Sequence, residues 1–267
     1  MSFRDAKILK FVPNALTIGN SLCGFIAILY TLRAYENSGK PSDMLLVFVV
    51  SAWMIFAAMI FDALDGLAAR AFHAASMTGI QMDSLSDMVT FGVAPATLVA
   101  ILAHSLHGQL KTWQVLIVYA LCSIYLGCAA LRLAIYNVKA ITEHKNSKSF
   151  SGLPSPGGAA AICVTIFFVY SLSTNSADSL KWLTFILPAY AAILGLLMVS
   201  NIPYLHVGKW LVTMRRSYRK LLFFVVLMVL VAIFRSYALA AIVTGYILSG
   251  PLSLLLPKKT RQRIFED

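Results

Sequence analysis

Apolar segments long enough to cross a lipid bilayer recur along nearly the whole chain. A membrane-spanning helix needs about 20 predominantly apolar residues. Eight segments approach or reach that length, and they lie at 13–33, 44–64, 84–103, 114–136, 153–173, 182–199, 219–235 and 237–256. The last two are joined so closely, at Arg235 and Ser236, that they must form a helical hairpin.

The composition agrees with this pattern. Hydrophobic residues make up 59% of the 267 positions and charged residues 12%, whereas roughly 25% of the residues of a soluble domain are charged. We therefore predict an all-α polytopic membrane protein with about eight transmembrane helices. It should form a single membrane-embedded domain over residues 1–267, with a core at about 13–199 and the C-terminal hairpin at about 219–256.

The distribution of lysine and arginine tests this topology, because the cytoplasmic loops of membrane proteins are enriched in both. Eight spans place both termini on one side, and 17 of the 22 basic residues then fall on that side. We expect both termini to be cytoplasmic, with the protein in the cytoplasmic (inner) membrane. The net charge of +11 is better explained by basic loops among membrane lipids than by a nucleic-acid partner.

Four aspartates are concentrated in one short segment, although the whole chain has only 11 acidic residues. Asp62 and Asp65 lie three apart at the end of the second span, and Asp83 and Asp87 lie four apart at the start of the third. Both spacings put side chains on one helical face, so two neighbouring helices could aim all four at one point. One such aspartate could be a loop residue or a helix cap. Four together need compensating charge, and oxygen ligands favour Mg²⁺ or Mn²⁺ and also admit Ca²⁺.

The residues between the aspartates suit a phosphate ligand. Gly66 and Gly79 permit close backbone approach, the small side chain of Ala69 leaves further room, and Arg70 has the planar fork that binds phosphate well. A metal, an arginine and glycines together indicate a diphosphate site. With two metal ions, such a site could clamp the attacking and leaving oxygens of a displacement.

This segment resembles the signature of the CDP-alcohol phosphotransferases, D-x₂-D-G-x₂-A-R-x₈-G-x₃-D-x₃-D. The match keeps every spacing, at Asp62, Asp65, Gly66, Ala69, Arg70, Gly79, Asp83 and Asp87. The resemblance implies transfer of a substituted phosphate from a CDP-linked donor to an alcohol, with release of CMP. It also implies a six-helix core, commonly dimeric, whose active site opens to the cytoplasmic leaflet.

The resemblance further assigns roles to the matched positions. Asp62, Asp65 and Asp83 would bind two divalent ions, Mg²⁺ or Mn²⁺, and Asp87 would lie beside them as a further ligand and as the general base. The CDP-lipid would contact the remaining four positions, Gly66, Ala69, Arg70 and Gly79.

Further stretches, most of them outside the signature, indicate which branch of the family the chain resembles. "PNALTIGNSLCGFIAI", "DSLSDMVTFGVAPA", "ALRLAIYN", "FSGLPSPGGAA" and "LMVSNIPY" resemble the membrane-integral phosphatidylserine synthases. That branch implies CDP-diacylglycerol and L-serine as substrates, and we expect a homodimer. Another alcohol (choline, glycerol phosphate or inositol) stays open as the acceptor.

Polar residues on two other helices are candidate substrate contacts. Asn14, Thr17 and Asn20 recur on one face of the first span. They could bind the CDP-lipid, or else cap and pack the helix. Arg132 and Asn137 lie at the cytoplasmic end of the fourth span. An arginine there can extend to lipid headgroups, but a carboxylate-bearing acceptor needs a cation, so we predict that both residues bind serine.

A divalent-cation transporter is a rival of another class, since intramembrane carboxylates also mark ion pathways. A transporter needs polar residues at mid-membrane and a path to both faces. Here the carboxylates crowd at one face and no inverted repeat is evident, which favours the enzyme.

Overall fold

The structure is a computed structural model that describes residues 3–36, 41–72, 77–107, 110–142, 152–172, 181–204 and 238–253. Within these ranges the fold is helical and contains no strand, which confirms the predicted all-α membrane class. The helices are α1 (Phe3–Leu32), α2 (Pro41–Ala71), α3 (Met77–Asp87), α4 (Ala94–His107), α5 (Thr112–Thr142), α6 (Ser155–Leu172), α7 (Leu183–Val199) and α8 (Ala238–Ser253). A 3₁₀ turn, Arg33–Tyr35, follows α1, and a π-helix, Met88–Val93, joins α3 to α4.

Four spans in the described part of the chain are long and apolar enough to cross a membrane: Val12–Tyr35, Asp43–Ala69, Met77–His107 and Thr112–Val138. Three shorter apolar helices, Ser155–Ser171, Leu183–Val199 and Ala238–Ser253, accompany them. All seven correspond to predicted spans. The predicted span 219–235, the basic cluster at 215–220 and the C-terminal tail lie outside the described residues.

The predicted boundaries of the second and third spans are wrong at the end that carries the aspartates. The second helix continues from the predicted 64 to Ala71, and the third begins at Met77 instead of 84. Hydropathy falls where carboxylates appear, but a helix continues through them because its backbone hydrogen bonds stay satisfied. All four aspartates are therefore held on helices and not on loops.

Close helix packing forms the interior. The helix α1 packs along α2, and α5 packs along α7. Gly195 of α7 permits the second contact, since an added Cβ would lie 2.7 Å from the Cα of Tyr125 on α5. Small residues allow such approach between membrane helices. Large apolar side chains such as Leu116 (63% exposed) and Ile60 (62% exposed) point outward, as lipid contact requires.

The helix α8 packs on the segment that follows α7. The hydroxyl of Tyr204 donates a hydrogen bond to the carbonyl oxygen of Ile247 (3.2 Å), and its ring lies 5.8 Å from the ring of Tyr246, centroid to centroid. Gly250 makes room for the Tyr204 ring. The C-terminal helix is thereby joined to the end of the helical core.

The two ends of the bundle differ in chemistry. At one end Tyr35, after α1, contacts His104, near the end of α4, edge to face with ring centroids 6.0 Å apart. The aspartates lie toward the other ends of α2 and α3. His104 and the aspartates are therefore at opposite ends of the bundle.

Candidate metal centre and substrate site

Three of the four aspartates meet at one point. Asp62 comes from the last turns of α2, and Asp83 and Asp87 come from successive turns of α3. One carboxylate oxygen from each lies within 4.8 Å of the other two. All three side chains are half-buried, so the group is enclosed by protein but open to a ligand.

Asp65 stands beside this group but is not part of it. Its side chain is only 4% exposed, and its Oδ2 accepts a hydrogen bond of 2.9 Å from the hydroxyl of Thr17 on α1. The spacings that could aim four carboxylates at one point thus give three converging carboxylates and a fourth that is hydrogen-bonded to a neighbouring helix.

The helix α1 holds the aspartates in place. Asn20 is fully buried, and its Nδ2 donates to Oδ1 of Asp87 at 3.1 Å. Two backbone carbonyls of α1 also accept hydrogen bonds: Thr17 O from Ser86 (2.8 Å) and Asn20 O from Thr90 (3.1 Å). Thr17 and Asn20 therefore contact the carboxylates, while Asn14, one turn away, is half-buried.

The charges of this cluster suit a bound cation. One carboxylate oxygen of Asp62 lies within 4.8 Å of one of Asp87, and two ionised carboxylates that close repel unless a proton or a cation lies between them. Among the side chains that the structure describes, which do not include that of Arg70, no lysine or arginine forms an ion pair with any of the four aspartates. The buried Oδ1 of Asn20 also has no partner there. The donor set is all oxygen, so the three carboxylates could hold a divalent metal ion.

The space beside the aspartates is open at Gly66. A Cβ added to this glycine would meet no atom within 4 Å. Ala69 on the same helix and Gly79 on α3 are half-buried. Arg70 is part of α2, but its side chain is not among the described groups. Small residues therefore line one side of the cluster, as a bulky phosphate ligand would need.

A π-helix begins immediately after Asp87. A π-turn leaves carbonyls without their usual helical donors, and such turns occur often at functional sites. Here the hydroxyl of Tyr125, fully buried on α5, donates to the carbonyl of Phe91 at 2.8 Å. This feature cannot be predicted from the sequence, because "MVTFGV" carries no local signal that separates a π-turn from an α-turn.

Two polar contacts connect α5 with the aspartate region. Arg132 donates from Nη1 to the hydroxyl of Ser155, the first residue of α6, at 2.7 Å. Asn137 accepts at Oδ1 from the hydroxyl of Ser84, next to Asp83, at 2.7 Å. Neither serine is predicted as a site residue from the sequence, although each lies in a stretch that resembles the synthases.

Arg132 is also within electrostatic range of Asp87. Its side chain is half-buried and is hydrogen-bonded to Ser155, whereas an arginine that reaches the lipid headgroups would be exposed. The two predicted serine-binding residues, Arg132 and Asn137, are thus brought to the same end of the bundle as the aspartates.

Comparison with known proteins agrees with this site. A family model described as CDP-alcohol phosphatidyltransferase matches residues 10–197. The chain is similar to a CDP-diacylglycerol–serine O-phosphatidyltransferase of Helicobacter pylori (strain ATCC 700392 / 26695), with 31% identity over 198 residues, 73% of this chain and 72% of the relative. Proteins of the same name from Bacillus subtilis (33% over 165 residues, 61% and 78%) and Methanocaldococcus jannaschii (34% over 163 residues, 61% and 67%) are also similar.

Proposed function

The chain belongs to the CDP-alcohol phosphatidyltransferase family, and from this premise we propose that it makes phosphatidylserine. It would transfer the phosphatidyl group of CDP-diacylglycerol to the hydroxyl of L-serine and release CMP. The observation that carries the chemistry is the convergence of Asp62, Asp83 and Asp87 within 4.8 Å. The choice of serine is supported by the names of the similar proteins from bacteria and an archaeon.

The aspartates would hold two divalent ions, Mg²⁺ or Mn²⁺. Asp62, Asp83 and Asp87 fit this role by their mutual distances, and Asp65 would join them through the oxygen that Thr17 does not engage. When bound, such ions neutralise the diphosphate and the charge that develops on the leaving group.

Asp87 is the proposed general base. It would take the proton of the serine hydroxyl while the serine oxygen forms a bond to the phosphorus that carries the lipid. The bond from that phosphorus to the CMP oxygen breaks, and CMP leaves with the electron pair. Asn20, which donates to Oδ1 of Asp87, would keep the carboxylate turned toward the acceptor.

Arg132 is the proposed partner of the serine carboxylate. One guanidinium nitrogen, Nη1, donates to Ser155, and a guanidinium has five N–H donors in total, so the group retains donors for a second acceptor. A carboxylate brought close to an aspartate cluster needs such a cation. Asn137, bonded to Ser84 beside Asp83, would complete the acceptor side.

The CDP-lipid would occupy the opposite side of the cluster. Gly66, with its open flank, is the best-supported contact there. We propose Asn14, Ala69, Arg70 and Gly79 as the remaining contacts, with Thr17 and Asn20 acting through the carboxylates that they hold.

The site and both termini would face the cytoplasm, in the inner membrane. The excess of basic residues on that side supports this orientation. We further propose that the chain is one membrane domain and works as a homodimer, as the resemblance implies.

A single assay tests the proposal. Purified protein in vesicles receives CDP-diacylglycerol and, separately, serine, choline, glycerol phosphate or inositol, and CMP release is followed. Serine should support release, and the Asp62→Asn variant should not. Release with another alcohol but not with serine would reassign the acceptor. Divalent-cation uptake into the vesicles without any CMP release would favour a transporter.

A further inference from the structure

The helix α8 reaches the acceptor side of the site although it lies outside the region that defines the family. The family match ends at residue 197, and α8 begins at Ala238. Its Tyr246 is half-buried. The ring of Tyr246 packs against Tyr204, which is itself hydrogen-bonded to Ile247 of α8. The ring is thus held in a defined position.

The ring of Tyr246 lies against the first turn of α6. Its Cε1 is 3.3 Å from the point where a Cβ on Gly157 would lie. Gly157 is two residues from Ser155, which accepts the hydrogen bond of Arg132. The absence of a side chain at 157 therefore lets the ring approach the residues that orient this guanidinium.

Tyr246 and Arg132 are also close enough to interact electrostatically. Arg132 in turn is within electrostatic range of Asp87. Electrostatic interactions therefore connect Arg132, the proposed serine-binding residue, both with the proposed base and with Tyr246 of α8.

We propose that the ring of Tyr246 forms one wall of the acceptor pocket and thereby determines specificity for a small, carboxylate-bearing alcohol. This inference rests on the proposed function. A rigid aromatic wall beside Arg132 limits the volume next to the guanidinium and keeps its fork directed at the acceptor. A bulkier alcohol such as choline or inositol would collide with the ring, whereas serine would not.

The test compares apparent KM values for serine and for CDP-diacylglycerol in the full-length protein. We expect Tyr246→Ala to raise the serine KM about tenfold, which corresponds to about 1.4 kcal/mol, and to leave the donor KM nearly unchanged. Tyr246→Phe keeps the ring and removes only the hydroxyl, so it should raise the serine KM less than Tyr246→Ala does. Leu248→Ala is the matched control, because Leu248 lies on the same helix with its side chain 50% exposed.

A double-mutant cycle isolates the contact. Gly157→Ala places a methyl group against the ring and should raise the serine KM on its own. In the Tyr246→Ala background the same change should have little further effect, because contacting residues show non-additive effects. If Tyr246→Ala does not fold, Gly157→Ala and Tyr246→Phe still test the wall.

Several results would overturn the inference: an unchanged serine KM in Tyr246→Ala or in Gly157→Ala, an equal rise of both KM values, or a loss in Tyr246→Phe as large as that in Tyr246→Ala. The unmutated protein is assayed first, so failure of the acceptor assignment is seen separately. If only choline or inositol supports CMP release, the wall is refuted together with the acceptor assignment, because both would collide with the ring. If glycerol phosphate is the acceptor, the same variants are measured with it, and an unchanged KM for it would refute the wall alone.

Discussion

Replacing Asn20 tests whether α1 acts through the aspartates. Asn20→Leu keeps the size of the side chain but removes the donor that lies 3.1 Å from Oδ1 of Asp87. A hydrogen bond to a charged group contributes about 1.5–3 kcal/mol. If that energy is needed to orient the base in the transition state, kcat should fall about 10- to 100-fold, since each 1.36 kcal/mol is a factor of ten.

The effects of Asn20→Leu on kcat and on KM distinguish positioning of the base from direct contact with the CDP-lipid. Asn20 is fully buried, so its loss should lower kcat much more than it raises the KM for the CDP-lipid. A direct contact with the CDP-lipid, which the sequence also allows, predicts a rise in that KM.

Thr31→Val is the matched control for Asn20→Leu. Thr31 is a buried polar residue on the same helix, but it is hydrogen-bonded to Ser51 of α2 (2.9 Å) and has no contact with the aspartates. The assay is CMP release at saturating serine with the donor varied, alongside thermal unfolding of each variant. A kcat for Asn20→Leu equal to that of Thr31→Val would refute the positioning argument.

Three further outcomes are expected. Asp87→Asn should lower turnover about 10²–10⁴-fold, the usual contribution of a general base, and should leave CDP-lipid binding largely intact. Asp62→Asn should weaken metal and donor binding as well. Near-normal turnover in Asp87→Asn would contradict the base assignment. Removal of divalent ions with EDTA should stop CMP release and Mg²⁺ or Mn²⁺ should restore it; full activity after dialysis against EDTA would exclude the metal site. Arg132→Lys keeps the charge and loses the planar fork, so it should raise the KM for serine far more than the KM for the CDP-lipid. Equal effects on the two KM values would indicate a phosphate-binding or structural arginine.

The sequence predicted the parts of the fold that depend on local periodicity. Apolar runs located the described helices, and the three- and four-residue spacings of the aspartates placed each pair on one helical face. Convergence of Asp62 with Asp83 and Asp87 then followed from two adjacent spans ending at the same surface. These inferences need only the helical repeat and the thickness of a bilayer.

Contacts between distant segments could not be predicted in the same way. Thr17 and Asn20 were identified as polar residues on one face, but their partners, Asp65 and Asp87, lie 48 and 67 residues away. Which helices become neighbours is decided by packing of the whole bundle, as at Gly195. The partners of Arg132 and Asn137 were missed for the same reason.

The π-helix at Met88–Val93 makes the orientation of Asp83 and Asp87 depend on the hydrogen-bond pattern of the six residues that follow them. An α-helix turns about 100° per residue, because 3.6 residues complete one turn. If all six residues closed as an ordinary α-helix, they would turn about 100° further than the wider π-helix does, and Asp83 and Asp87 would rotate by about that angle relative to α4. They would face away from Asp62, although every functional side chain would still be present. Substitutions that convert this segment to α-helical hydrogen bonding at constant length are therefore expected to displace the aspartates, whereas a conversion accompanied by the loss of one residue would keep their orientation.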